Sequence, residues 1–158
     1  LGLLVLFAVH MFFSIQLTLE NRAARPVAYY KESTLKATLA SRTMIWSGLV
    51  LGIFIVYHLA HLTARVTGPV DFMTAEGPDV YRNVIASFSN PAIALLYVFG
   101  QIALFFHLTH AFASAFQTLG LNDKSYTPAI ECASKSYAIL IAGGNLAIVL
   151  AVFTGFIH

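Results

Sequence analysis

The sixteen charged residues of this 158-residue chain fall into three clusters, and the stretches between them hold no Asp, Glu, Lys or Arg. The first cluster runs from Glu20 to Arg42, the second from Arg65 to Arg82 and the third from Asp123 to Lys135. Four charge-free apolar segments remain, residues 1–19, 44–62, 91–119 and 137–157. A helix rises about 1.5 Å per residue and needs about 20 apolar residues to cross roughly 30 Å of hydrocarbon, so each segment is long enough to span a bilayer. Four such segments exceed what a small soluble core can bury. None shows the period-two polar interruption of an outer-membrane strand. The expected fold is therefore all-α, a transmembrane helix bundle forming a single membrane domain.

Composition agrees. Apolar residues make up 58% of the chain and charged residues 10%, against about 45–50% and about 25% in soluble domains. A formal charge of +2 offers no electrostatic footprint for a phosphate backbone, which argues against a nucleic-acid partner. The one cysteine, Cys132, cannot form an internal disulfide or a CxxC site. The chain opens at Leu1 inside an apolar run without an initiator methionine, so a further segment, an additional first helix, is expected upstream.

The connection from Glu20 to Arg42 carries five Lys/Arg. The connection from Ala64 to Asn90 carries two, with three acids. The positive-inside rule then places residues 20–42 and 120–136 in the cytoplasm. Tyr29, Tyr30, Trp46 and Tyr57 fall near the proposed boundaries, where interfacial aromatics gather.

Five of the six histidines lie within or at the edge of these spans: His10, His58, His61, His107 and His110. An ionisable residue at membrane depth is a functional candidate by default. The spans contain no carboxylate for a proton relay or an oxygen-rich cation site. Imidazole alone suits axial ligation of a b-type haem. Counted from the cytoplasmic ends at ~1.5 Å per residue, His10 lies about 15 Å deep, His107 about 20 Å and His58 about 24 Å. His10 and His107 are the natural pair for one haem nearer the cytoplasm. His58 would then need a ligand from elsewhere, which the upstream helix could supply.

In HLAH (58–61) and HLTH (107–110) the paired histidines stand about 60° apart around a helix, and only one of each pair need be a ligand. His61 and His110 are candidates for a backbone, propionate or quinone contact. Arg22, Arg25 and Arg42 could pair with propionates at the cytoplasmic side. A packed histidine bonded to a neighbouring helix is the plainer reading of any one position. Gly48 and Gly52 form a GxxxG pattern, more often simple packing than a cofactor slot, and Gly143-Gly144 hints at a break in the last helix.

The runs VHMFFSIQLTLENRAARPVAYY, SRTMIWSGLVLGIFIVYHLAHLT and FFHLTHAFASAFQTLGLNDK resemble the cytochrome b membrane anchor of succinate:quinone oxidoreductases, the succinate dehydrogenase and fumarate reductase family, in its single-polypeptide, five-helix, di-haem form. The resemblance implies two haems b, with His10 and His107 as ligands of the haem nearer the cytoplasm and His58 as one ligand of the distal haem. It further implies a multi-pass subunit of the bacterial inner membrane. That subunit would dock a flavoprotein carrying FAD and an iron–sulfur protein on its cytoplasmic face, and pass electrons between them and quinone. The type implies menaquinone. Dicarboxylate chemistry would belong to the partner subunits. The chain departs from some members in having Phe105 and Phe106 before His107 and no carboxylate in any span, which removes that form of transmembrane proton route. Two other readings stay open: a haem b anchor of another respiratory oxidoreductase, and a haem-free transporter or assembly anchor with structural histidines.

Overall fold

The computed structural model describes residues 2–24, 42–69, 71–121 and 123–158. Four long helices dominate: α1 (Gly2–Ala23), α2 (Met44–Thr63), α4 (Pro91–Thr118) and α5 (Thr127–Phe153), each long and apolar enough to cross a membrane. Between α2 and α4 lie a two-residue hairpin, β1 (Met73–Thr74) and β2 (Gly77–Pro78), and a short helix, α3 (Val80–Phe88). The chain is an all-α bundle of the multi-pass membrane type.

Local chemistry sets the helix ends. Asn90 caps α4, its side-chain oxygen accepting from the Ala92 and Ile93 amides at 2.9 and 3.4 Å, and Pro91 starts the helix where its missing N–H costs nothing. The far end closes on Gly120, whose φ of +76° lets the Leu121 amide reach back to Phe116 O at 2.9 Å and the Gly120 amide to Gln117 O at 3.0 Å. Helix α5 begins ten residues before the charge-free segment and carries Glu131 and Lys135 on its first turns. The Gly143-Gly144 pair does not interrupt it: residues Ile139–Gly143 form a π-turn that runs directly into Gly144–Phe153.

Helix α4 is the centre of the bundle, with α2 packed on one side and α5 on the other. Polar side chains join the helices where they cross. Ser134 is buried and donates to the Thr109 carbonyl, and Asn145 Nδ2 donates to Gln101 Oε1 at 3.3 Å. Such bonds satisfy groups that hydrocarbon cannot. Helix α1 packs against α2 alone among the described elements, and none of its residues is buried. Most of its leucines and phenylalanines, Leu3, Phe12 and Phe13 among them, are exposed, as expected for side chains solvated by lipid.

The core therefore sits off-centre. Phe88, Ala94, Tyr97, Val149 and Val152 form it, with Phe54, Tyr57 and Leu62 packed against it. All lie toward the end covered by the 64–90 connection. That connection is a built cap. Asn83, itself buried, accepts from the Phe72 amide at 2.8 Å and donates to the Phe72 carbonyl at 3.2 Å, while Arg65 pairs with Asp71 at 3.0 Å. At the opposite end, the described residues of α1 and α2 line a cavity.

Candidate functional site

At that end, His10 of α1 and His107 of α4 come together, their ring centroids 6.4 Å apart and their planes at 88°. Two metal–imidazole bonds of about 2 Å each, with roughly 1 Å more from nitrogen to ring centre on either side, require about 6 Å between centroids. Rings at right angles can share such an axis. The pair thus has the spacing of two imidazoles on opposite sides of one metal ion.

The hydrogen bonding of His107 fixes its tautomer. Ser47 Oγ lies 3.1 Å from His107 Nδ1 and 2.9 Å from the Met44 carbonyl. A carbonyl only accepts, so both contacts are made when the hydroxyl hydrogen goes to Met44 and the serine oxygen accepts from His107 Nδ1–H. The Nε2 lone pair of His107 is then free to ligate, and Ser47 orients the ring from behind, as outer partners of metal-bound histidines do. Gly48 makes room for this ring. A Cβ there would stand 3.4 Å from His107 Cε1, so any side chain larger than alanine would crowd the imidazole. The second glycine of the GxxxG pattern faces Met11 of α1, 3.0 Å from where its Cβ would be. The pattern thus clears space for side chains as well as for a close α1–α2 approach.

Both histidines line a cavity of about 440 Å³, within the range of cofactor and ligand sites. Its walls are mostly apolar or small, including Met11, Ser14, Ile15, Ile45 and Leu49, and Asn21, Arg22 and Arg42 add polar groups. Neither arginine makes an ion pair with a described residue. The cavity thus joins two imidazoles, apolar walls and two cations, the donor set that fits a flat apolar macrocycle with acidic edge groups. Arg25 lies outside the described residues, as do Tyr29 and Tyr30. Among the described residues no cluster of three or more His, Cys, Asp or Glu could cage a metal ion alone.

The structure brings His58 and His61 together around Tyr97. His61 Nδ1 lies 2.9 Å from Tyr97 Oη, and His58 Nδ1 lies 3.4 Å from the same oxygen. A π-turn over Leu59–Thr63 begins directly after His58 and contains His61, a distortion often found at functional sites. His61 and Tyr97 are nearly inaccessible, at 2% and 3% exposure. His61 Nε2 has no hydrogen-bond partner among the described residues. Tyr57 turns into this group, its ring centroid 5.3 Å from that of His61, rather than serving only as a boundary aromatic. His110 bonds Ser114 through Nε2 at 2.9 Å and does not line the cavity. No described histidine stands opposite His58 as His10 stands opposite His107.

Sequence reasoning missed Ser47 and Tyr97. Tyr97 and Gln101 are polar residues one turn apart inside a charge-free span, a signal of an interior face that was available in the sequence. Ser47 gave none, because short hydroxyls are common in membrane helices. Comparison of the chain with family models, curated proteins and solved structures finds no match in any of the three.

Proposed function

We propose that this chain is the haem b-containing membrane anchor of a succinate dehydrogenase or fumarate reductase complex, carrying electrons between a cytoplasmic iron–sulfur subunit and membrane quinone. The observation that carries the reading is the His10–His107 pair, held at ligation distance across a cavity that Arg22 and Arg42 also line. Haem would supply a reversible one-electron couple at membrane depth.

The chain's own residues do the rest. His10 and His107 hold the group between α1 and α4. Ser47 fixes the tautomer and orientation of His107. Arg22 and Arg42 would meet the acidic edge at the cytoplasmic end, and Met11, Ile15, Ile45 and Leu49 would give the group apolar walls, which tune its potential. His58 would be the residue to hold a second haem, and no described histidine stands ready to share it. The connections 20–42 and 120–136 form the docking face for the iron–sulfur and FAD-containing flavoprotein subunits. The complex lies in a bacterial inner membrane and exchanges electrons with menaquinone.

The test is a reduced-minus-oxidised spectrum with pyridine haemochrome quantitation on the complex purified from its membranes, repeated for His10→Ala and His107→Ala. Two haems b in the wild type, with the same single haem missing from each variant, is the expected result. Copurifying flavin and iron–sulfur centres separate this anchor from those of other respiratory enzymes. A wild-type complex without a Soret band would overturn the haem reading and leave the histidines as interhelical hydrogen-bond partners.

A further inference from the structure

A second, smaller groove, of about 170 Å³, lies along the seam between α1 and α2. Ile15 and Leu19 of α1 and Ile45 and Leu49 of α2 give it aliphatic walls. Arg22, on the last turn of α1, and Trp46, on the first turn of α2, border it as well, so both lie beside the 20–42 connection. These two side chains are its free donors. Arg22 is exposed and Trp46 is 63% exposed, and neither makes a hydrogen bond or an ion pair with a described residue. The other polar side chain of the groove is turned back on its own helix, since Thr18 Oγ1 donates to the Ser14 carbonyl at 2.8 Å.

We propose that this groove holds one anionic phospholipid, with its phosphate on Arg22, its glycerol-ester region beside the Trp46 ring N–H, and one acyl chain along Ile15, Leu19, Ile45 and Leu49. Charge and polarity select that occupant. A guanidinium offers a planar fork of donors that matches two phosphate oxygens. A small soluble anion would leave the aliphatic walls uncovered, whereas an acyl chain attached to the phosphate covers them. In a zwitterionic lipid the headgroup ammonium offsets the attraction of the phosphate for the arginine, so a headgroup of net negative charge is favoured. Indole suits the level between the two, with an apolar body toward the chain and an N–H toward the ester oxygens. Ile15 and Arg22 stand two turns apart, about 10 Å along the axis, so the groove takes the headgroup-proximal part of a chain and leaves the rest in bulk lipid. The adjoining 20–42 connection carries five Lys/Arg, and a basic segment next to a membrane helix draws anionic lipid toward the same end.

The proposal is independent of what the His10–His107 cavity holds. Arg22 borders that cavity too, and its five N–H donors can serve an acidic group on each side. Leu19 and Trp46 border the groove and not the cavity, which separates the two sites experimentally.

The test is native mass spectrometry of the protein purified from its membranes, freed of bound lipid by extended detergent washing and then offered phosphatidylglycerol or phosphatidylcholine with identical acyl chains. Wild type is compared with Arg22→Gln, Arg22→Lys and Leu19→Trp. Wild type is expected to retain one phosphatidylglycerol about fivefold better than phosphatidylcholine, the effect of one arginine at an anionic headgroup. Arg22→Gln is expected to retain the two lipids equally, and Arg22→Lys, which keeps the charge, to preserve the preference. Leu19→Trp fills the groove and is expected to lower retention of both lipids. Equal retention of the two lipids by wild type would overturn the proposal. So would a preference that survives both Arg22→Gln and Leu19→Trp, since the lipid would then sit elsewhere. Loss of the preference in Arg22→Gln with no effect of Leu19→Trp would reduce the site to a contact for phosphate alone and overturn the seated lipid.

Discussion

A histidine in hydrocarbon is useful as a ligand only if something specifies which nitrogen is bare, and in the proposed haem site that task falls to a hydroxyl behind the His107 ring. Ser47 does it for His107 through a 3.1 Å contact, with its own hydrogen engaged by Met44 at 2.9 Å. Ser47→Ala would leave the His107 Nδ1–H unpaired in a half-buried position. We expect the protein to fold and its affinity for haem at this site to fall about 10–100-fold, the usual cost of losing such a partner. A haem titration of the stripped, detergent-solubilised protein measures it, and an unchanged affinity would show that the serine contributes nothing to ligation. His110, by contrast, is tied to Ser114 on its own helix. His110→Gln should leave both haems in place, as a haemochrome assay of the variant would show.

At the scale of elements, the bundle is tightest where α2 meets α4 below the cap. A Cβ on Gly100 would lie 2.6–2.8 Å from carbons of the Phe54 ring, and that ring is itself packed on Tyr97 at 5.2 Å and His58 at 6.2 Å between centroids. Gly100→Ala is expected to lower stability by about 1–3 kcal/mol through overpacking. It should also shift the spectrum of the haem assigned to His58 more than that of its neighbour. Thermal unfolding followed at both α-bands checks both statements. Asn83 plays the corresponding part for the cap, where it is buried and satisfies both polar groups of Phe72. Asn83→Ala strands the Phe72 amide, while the Phe72 carbonyl keeps the Asp79 amide at 2.9 Å, and should cost about 1–3 kcal/mol, seen as earlier proteolysis of the 64–90 connection.

For the whole molecule the decisive quantities are orientation and the unevenness of packing. The orientation expected from the five Lys/Arg of the 20–42 connection would put residues 120–136 on the cytoplasmic side, and Cys132 in that segment is a free, exposed thiol. A membrane-impermeant maleimide should therefore label it in inverted vesicles and leave it unlabelled in intact spheroplasts; labelling from outside would invert the topology and the docking face together. Packing is dense at the capped end and sparse around α1, none of whose residues is buried. Among the described elements α2 is the one packed against that helix.

The sequence by itself determined the helical membrane class, because clustering all charge into three connections leaves no other way to satisfy the backbone of four apolar segments. It also made His10, His58 and His107 legible as candidates, since a histidine stands out where no other ionisable group is present. The depth count, at 1.5 Å per residue along each helix, already placed His10 and His107 near one level. What it could not contain was rotation and partnership. Whether a residue on α2 meets one on α4 depends on how two helices turn and cross, and a charge-free span with apolar residues all round gives no amphipathic stripe to fix that rotation. Only the tertiary structure decided that Ser47 stands behind His107, that Tyr97 sits between His58 and His61, and that Arg22 and Arg42 close the same cavity. Those pairings join residues as many as 60 positions apart and arise from side-chain packing between helices, a property of surfaces that a linear pattern does not record.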